Sequence, residues 1–387
     1  MSQNTFGRDL PFLDGFRGLA AAWVLIGHIL LFLNWKLPIL SWPEFSVDVF
    51  MMLSGFLMTY HYIIRSDRER PDDPITWISF WIRRFFRIAP IYYLTLFVAL
   101  PLGPWLGRLR SQIAVSFSNP PSQPVRFFDQ GWDNILAHVS LLFGFIPHYH
   151  FRTPLPDWSI GLEMQFYMAI PFIMILCKRI GFMASAAVLL IAASIAKFMF
   201  ADFMDSFEMP TILPLKINLF LSGMLIAAAL AAETRQMWLL VMTSVAMAIL
   251  PLYHPTGPIG VGLQAGSAAV LAIFALQHRM PLPSQLRRLV SLLSDWLGKG
   301  IFRFMGETSY SVYLIHYFII IPVSRFVIYI LGTNGHPAGR VLLCVAISVP
   351  VTYAIAWVLF KTVEASGIGL GRTIVGKVRR RLSVSTA

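Results

Sequence analysis

Two polar residues, Arg17 and His28, lie in one otherwise apolar stretch near the beginning of the chain. Eleven residues of α-helix turn the chain by about 1100°, or about 20° more than three full turns, so both side chains project from one face, about 16 Å apart along the axis. Histidine exchanges protons near neutral pH, which makes His28 a candidate general base. The alternative is a hydrogen bond that only links two helices. Asp14, three residues before Arg17, could pair with it on the same face.

A carboxylate, Glu163, stands inside a later apolar stretch and is the centre of a polar stripe. Ser159, Glu163 and Tyr167 follow at intervals of four residues, which places them on one helix face. A carboxylate within a membrane span needs a partner, and an arginine or a protonated histidine would serve. We expect this stripe to face a cavity.

Weaker polar signals occur in two further apolar stretches. Ser309, Tyr313 and His316 share one helix face, although a helix-packing role explains His316 at least as well as a chemical one. Asp48 is an isolated carboxylate in a different stretch, with Ser54 further along it. We expect these residues to support a site and assign them no step of their own.

A basic cluster, Arg83, Arg84 and Arg87, precedes another apolar stretch. Guanidinium groups bind phosphate oxygens through two hydrogen bonds, so this cluster is a candidate phosphate site. The alternative is an ordinary basic anchor beside a membrane span. We predict no metal site, because the pair His148 and His150 lacks a third ligand.

The composition identifies the kind of molecule in which these residues stand. Of 387 residues, 57% are hydrophobic and only 13% are charged, whereas soluble domains carry about 25% charged residues. The mean hydropathy is +0.66, which excludes an ordinary soluble protein. The net charge is +12, but the basic residues lie mostly between apolar runs, as in the cytoplasmic loops of membrane proteins, so we predict no nucleic-acid partner.

The apolar runs predict an all-α, polytopic membrane bundle, because each run has about the 20 residues that cross a bilayer. The positive-inside rule places both termini in the cytoplasm. The long outer loop 105–157 contains a short apolar piece, 135–145, which predicts an interfacial or re-entrant helix, with an eleventh span as the alternative. We expect a single integral-membrane domain over residues 1–387 with no appended soluble domain. The ten predicted spans are 17–35, 45–64, 88–104, 158–177, 182–199, 211–231, 236–252, 258–277, 306–331 and 338–361.

Five ordered segments of this chain together resemble the motifs of the membrane acyltransferase 3 family, and the resemblance covers nearly the whole chain. The first segment includes an arginine, ten residues and a histidine. In the fourth, family members often have two adjacent acids, whereas this chain has Glu163 followed by Met164, so Glu163 serves alone or the second acid is dispensable. The segments are 13–20 with His28, then 46–56, 83–92, 158–167 and 309–316.

The resemblance implies a membrane-bound O-acyltransferase of a bacterial inner (plasma) membrane. Its donor would be cytoplasmic acyl-CoA, most commonly acetyl-CoA, used as a co-substrate, with no tightly bound cofactor. Its acceptor would be a hydroxyl of an extracytoplasmic carbohydrate or a lipid-linked glycan. The alternative class is a proton-coupled transporter or flippase, in which the same intramembrane residues form a proton relay.

The same resemblance suggests roles for the polar residues. Arg83, Arg84 and Arg87 are expected to hold the CoA phosphates. His28 is expected to deprotonate the acceptor hydroxyl or to carry the acyl group itself. Arg17 would orient the donor or stabilise negative charge, and Glu163 would set the tautomer of His28. The supporting polar residues are Asp14, Asp48, Ser159, Tyr167, Tyr313 and His316.

Overall fold

The computed structural model describes residues 10–66, 69–70, 73–120, 124–254 and 256–385. Over these ranges the chain is helical and contains no strand. A π-helical turn, Phe360–Glu364, joins the last two α-helices, and short 3₁₀ turns occur at Phe143–Phe145 and Leu213–Leu215. The α-helices are α1 (Phe12–Phe32), α2 (Pro43–Arg65), α3 (Pro74–Ser116), α4 (Pro124–Phe128), α5 (Trp132–Val139), α6 (Trp158–Ile180), α7 (Phe182–Met199), α8 (Ala201–Asp205), α9 (Ile217–Ala229), α10 (Thr234–Ala248), α11 (Pro258–Leu276), α12 (Ser284–Leu297), α13 (Gly300–Leu331), α14 (Ala338–Leu359) and α15 (Ala365–Ser385).

The structure confirms a polytopic, all-α membrane bundle. In its described part, eight helices are long and apolar enough to cross a membrane: α1, α2, α3, α6, α7, α11, α13 and the continuous unit Ala338–Arg381. The other two predicted spans coincide with α9, which has 13 residues, and α10, which has 15. The piece 135–145 folds as the end of the eight-residue α5 and a 3₁₀ turn, so it is too short to be an eleventh span.

Helix α3 is much longer than the predicted span 88–104. It has 43 residues, or about 65 Å of helix, and contains Pro90, Pro101 and Pro104. Its first part is basic, which is why an apolar criterion missed it. Asp73 caps this end by accepting a hydrogen bond from the Ile75 amide at 2.9 Å.

Helices α1, α3 and α13 begin at the same end of the bundle, which we call the arginine end. A Cβ at Gly306 would lie 2.2 Å from the carbonyl oxygen of Asp14, so the starts of α1 and α13 touch. Tyr310 of α13 donates to the carbonyl of Ile88 in α3 at 3.3 Å. Helix α6 runs in the opposite direction, because Trp81 of α3 donates to the carbonyl of Tyr167 whereas Tyr92, further along α3, donates to Asp157 just before the start of α6.

Glycines bring α2 and α9 into backbone contact. A Cβ at Gly55 would lie 2.0 Å from the carbonyl oxygen of Phe220, and one at Gly223 would lie 1.9 Å from that of Met52. Small residues at membrane helix crossings allow such close approach. This crossing fixes the rotation of α2 about its axis and therefore the direction in which Ser54 points.

Candidate active site

A cavity of about 100 Å³, here called the polar cavity, lies toward the arginine end. It is bounded by α1, α2, α3, α6, α9 and α13, so it draws on helices from most of the chain. All three members of the predicted stripe on α6 line it, and so do two of the three predicted residues on α13. Its polar lining residues are Arg17, Ser54, Arg84, Arg87, Ser159, Glu163, Tyr167, Ser309, Tyr310 and Tyr313.

Glu163 is held by hydroxyl groups. Ser54 donates a hydrogen bond of 2.9 Å to Glu163 Oε1, and Tyr167 donates a short hydrogen bond to the same oxygen. The expectation that Glu163 orients His28 is therefore wrong, because α6 turns this carboxylate toward the arginine end, where Arg84 packs on the Tyr167 ring.

Two arginines of the polar cavity make few polar contacts with the rest of the protein. Arg84 lies 5.6 Å and 5.5 Å from the ring centres of Phe80 and Tyr167, and its buried Nε has no hydrogen-bond partner. Arg17 forms no hydrogen bond or ion pair within the described residues, so the predicted pair with Asp14 does not form there. Both guanidinium groups are therefore available to an anionic ligand.

Arg83 does not line the polar cavity, in contrast to its neighbours in the basic cluster. It forms an ion pair of 3.2 Å with Glu69, which also accepts from Arg379 of α15 at 2.7 Å. Neighbouring residues on a helix point in different directions, so the cluster divides into cavity residues (Arg84, Arg87) and a surface residue (Arg83).

A further carboxylate, Glu364, belongs to the same region but was absent from the sequence prediction. It is fully buried, lies 3.3 Å from Arg87 and accepts a hydrogen bond of 3.1 Å from Ser311. Glu364 is the last residue of the π-helical turn, and such turns are common at functional sites. The predicted final span ended at residue 361, so the usual signal of a charged residue within a span was missed.

His28 and His316 form a direct pair. His316 Nε2 lies 3.2 Å from His28 Nδ1, which also lies 2.9 Å from the carbonyl oxygen of Val24. His316 Nδ1 lies 2.6 Å from the carbonyl oxygen of Tyr313. Because carbonyl oxygens only accept, each Nδ1 carries a proton, and the His28 proton is shared with His316 Nε2. His28 Nε2 is then the basic nitrogen, with no partner among the described residues.

Tyr313 lies between the histidine pair and the polar cavity. Its hydroxyl makes a hydrogen bond of 2.7 Å with Ser159 in the cavity lining, and its ring centre is 6.0 Å from that of His316. The described lining of the cavity includes neither histidine. The predicted residues thus fall into two neighbouring groups that meet at Tyr313.

The segment between α3 and α6 supplies a cation beside the histidines. The Arg126 guanidinium lies 5.1 Å from the ring centre of Tyr317, whose ring is 4.9 Å from that of His28. Arg126 is held by the carbonyl oxygens of Thr153 and Leu155, both at 2.9 Å. Sequence reasoning did not find it, because the five-residue helix α4 that carries it is too short to show a periodicity.

Asp48 lies away from the polar cavity. It makes a salt bridge of 2.6 Å with Lys216 and accepts a hydrogen bond of 2.8 Å from Gln264. These contacts tie α2 to α11 and to the residue before α9, which is a helix-bridging role. Removing one member would leave a buried charge without a partner.

The chain was compared with known proteins. It is 28% identical over 179 residues to the peptidoglycan O-acetyltransferase OatA of Listeria monocytogenes serovar 1/2a (strain ATCC BAA-679 / EGD-e), which covers 44% of this chain and 25% of that relative. It is 28% identical over 185 residues to the acyltransferase MdmB of Streptomyces mycarofaciens, which covers 44% of this chain and 41% of the relative. The matched part therefore spans less than half of each relative's length. No solved structure matches the chain significantly.

The family comparison covers the bundle and its polar residues together. A family model described as an acyltransferase domain matches residues 10–358, which contain both the polar cavity and the histidine pair. The chain belongs to the acyltransferase 3 family, and its described part contains several helices long and apolar enough to cross a membrane.

Proposed function

We propose that the protein transfers an acyl group, in the simplest case acetyl, from acyl-CoA to a hydroxyl of an extracytoplasmic carbohydrate or lipid-linked glycan. The observation that carries the proposal is the placement of Arg17, Arg84 and Arg87 in one cavity, next to a histidine pair with one free basic nitrogen. The name of the Listeria relative, a peptidoglycan O-acetyltransferase, supports a glycan acceptor.

The arginine end would face the cytoplasm of a bacterial cell, where CoA is found. Basic residues concentrate at helix ends on this side: Arg65 pairs with Glu69, and Arg279 donates to the carbonyl oxygens of Ala229 and Leu230 at the end of α9. The positive-inside rule supports this orientation, with both termini in the cytoplasm.

The donor would enter the cavity by its thioester end. A cavity of about 100 Å³ has the volume of about three water molecules, so the nucleotide of CoA must remain at its mouth. Arg84 and Arg87 would hold the phosphates there, and Arg17 would contact the pantetheine arm. The acyl end would first occupy the cavity and then advance past Tyr313 to His28, which lies about 16 Å along α1 from Arg17.

His28 Nε2 would accept the proton of the acceptor hydroxyl as its oxygen attacks the thioester carbonyl. A carbon–oxygen bond forms, the carbon–sulfur bond breaks, and the departing thiolate takes the proton back from His28. His316 acts as a positioning residue, because its Nε2 shares the proton on His28 Nδ1 and thereby fixes the tautomer. A variant of this path, in which His28 itself carries the acyl group, uses the same nitrogen.

The test is acyl-CoA consumption by the purified protein in nanodiscs, with and without candidate glycans, for wild type and His28→Ala. We expect CoA release by the wild type and at least a 100-fold loss in the variant, since general bases contribute about 10²–10⁴-fold. Retained folding of the variant is checked by its thermal unfolding. Equal release by both proteins would remove His28 from the chemistry, and no release by wild type across a broad panel would favour proton-coupled transport.

A further inference from the structure

A second cavity borders the polar cavity at Leu53. It has a volume of about 330 Å³, and we call it the α11 groove because α11 forms one wall and α1 and α2 form the others. Gly262 and Gly266 line it, and an ideal Cβ at either would have no heavy atom within 4 Å. The groove is therefore open space above the backbone of α11.

The α11 groove suits a hydrocarbon chain. Its one hydroxyl, on Ser267, already donates to the carbonyl of Leu263 at 2.7 Å, so no side-chain hydroxyl in the described lining lacks a hydrogen-bond partner. The remaining lining residues are apolar or glycine. A saturated chain buried there gains free energy with each methylene removed from water.

Leu53 is the residue that the described linings of the polar cavity and the α11 groove share. Helix geometry explains this position. Val49 and Met52 face the groove, whereas Phe50, Ser54 and Leu57 face the polar cavity, and Leu53 lies between these two faces of α2. Its side chain is 2% exposed, so it fills the wall between the two spaces.

We propose that Leu53 limits the length of the acyl group that the enzyme transfers. This inference rests on the proposed function, because it assumes that the acyl end of the donor enters the polar cavity. A short acyl group fits the space of about 100 Å³ on the near side of Leu53. A longer chain meets the leucine side chain and cannot reach the α11 groove.

Shortening Leu53 opens the wall. In Leu53→Ala the polar cavity and the α11 groove become one continuous space, and the added space is apolar. The reaction itself is unchanged: the carbon–sulfur bond of the thioester breaks, the carbon–oxygen bond of the ester forms, and the thiol leaves with the hydroxyl proton. What changes is the length of the acyl chain that this space accepts. One methylene in a hydrophobic pocket changes kcat/KM by about 10–200-fold.

The experiment measures kcat/KM for acetyl-, propionyl-, butyryl- and hexanoyl-CoA with wild type and Leu53→Ala in nanodiscs. For the wild type, we expect kcat/KM to fall by about tenfold with each methylene added to the acyl chain. We expect the ratio of hexanoyl to acetyl turnover to rise by about 100-fold or more in Leu53→Ala, since several methylenes gain a pocket. The ratio serves as the readout because Leu53 lines the cavity and the absolute rate also changes.

Two further variants separate the groove from a general enlargement. Leu57→Ala enlarges the polar cavity but not the α11 groove, so the hexanoyl-to-acetyl ratio should stay within a few-fold of wild type. Gly266→Leu fills the groove, and in the Leu53→Ala background it should restore the wild-type ratio. If Leu53→Ala does not fold, Leu53→Val provides the same test with a smaller opening.

The outcomes distinguish the two proposals. No CoA release by the wild type with any donor would overturn the proposed function. Acetyl transfer by Leu53→Ala with an unchanged chain-length ratio, or a raised ratio that Gly266→Leu leaves in place, would overturn the role of Leu53 while the proposed function stands.

Discussion

The side chains of Ser159 and Tyr313 share a hydrogen bond of 2.7 Å that closes the polar cavity on the side of the histidine pair. In the proposed mechanism, a thioester in the cavity reaches His28 only when the Tyr313 ring moves. The backbone carbonyl of Tyr313 also accepts from His316. In that mechanism, Tyr313 therefore closes the polar cavity and also holds His316, which positions the base His28.

Tyr313→Phe removes this hydrogen bond while it keeps the ring. We expect CoA release without acceptor to rise by about 2–10-fold, because a neutral hydrogen bond contributes about 0.5–1.5 kcal/mol to the closed form. The measurement is thiol release from acetyl-CoA in the absence of any glycan. Tyr353→Phe is the matched control, since the Tyr353 hydroxyl is buried without a partner. An unchanged rate in Tyr313→Phe would show that the bond is no barrier.

His316→Ala removes the acceptor for the shared proton on His28. We expect kcat to fall by about tenfold with little change in KM for the donor, because His28 keeps its hydrogen bond to Val24 but loses the partner that holds its ring. His316→Gln offers a carbonyl oxygen near the position of the lost nitrogen and should recover part of kcat. A rise in KM alone would place His316 in donor binding.

Arg84 and Arg83 provide a matched pair of substitutions on one helix. Arg84→Gln should raise KM for acyl-CoA by about 10–100-fold, because a hydrogen bond to a charged group contributes about 1.5–3 kcal/mol. Arg83→Gln should leave KM within about twofold of wild type, since Arg83 does not line the polar cavity and pairs with Glu69 outside it. Equal effects of the two substitutions would contradict phosphate binding inside the polar cavity.

Gly55→Ala tests the crossing of α2 and α9. The new methyl group would lie 2.0 Å from a backbone oxygen that no side-chain rotation can move. We expect a loss of about 1–3 kcal/mol in stability, seen as a lower midpoint of thermal unfolding in detergent. Gly262→Ala is the control, because its Cβ meets open space and alanine favours helix. Equal midpoints would mean that the crossing relaxes without cost.

His150, between α5 and α6, predicts a pH dependence. Burial lowers the pKa of His150, and its Nε2 accepts from the Met209 amide at 3.1 Å, which a protonated ring cannot do. Its contribution to stability is therefore present above the unfolded pKa of about 6.5 and is lost as the pH falls through the lower folded value. The measurement is hydrogen exchange of the Met209 amide as a function of pH, corrected for the intrinsic exchange rate. In wild type the corrected rate should increase in a step as the pH falls, and His150→Gln should remove this step. A step that persists in the variant would assign it to another group.

The sequence predicted the polytopic all-α bundle, because a bilayer demands about 20 apolar residues wherever a helix crosses. Eight helices of the described part meet that criterion, whereas α9 and α10 are shorter than the spans predicted for them. The sequence also predicted that Ser159, Glu163 and Tyr167 share a cavity, since four-residue spacing fixes one helix face. The partner of Glu163 was predicted wrongly, because periodicity gives the face of a helix but not the depth at which two helices meet. Arg126 and Glu364 were missed for a related reason: one lies in the five-residue helix α4, which is too short to show a periodicity, and the other lies beyond the end of the predicted last span.

The π-helical turn Phe360–Glu364 has a consequence for the helix that follows it. Such a turn amounts to one extra residue in a helix, and one residue is about 100° of rotation. The turn therefore sets the angular phase of α15, whose Gly367 and Gly371 lie against Phe86 of α3. If the same residues continued as a regular α-helix without this turn, both glycines would be rotated by about 100° away from α3. The phase of the last helix and the buried position of Glu364 are thus specified by the same five residues.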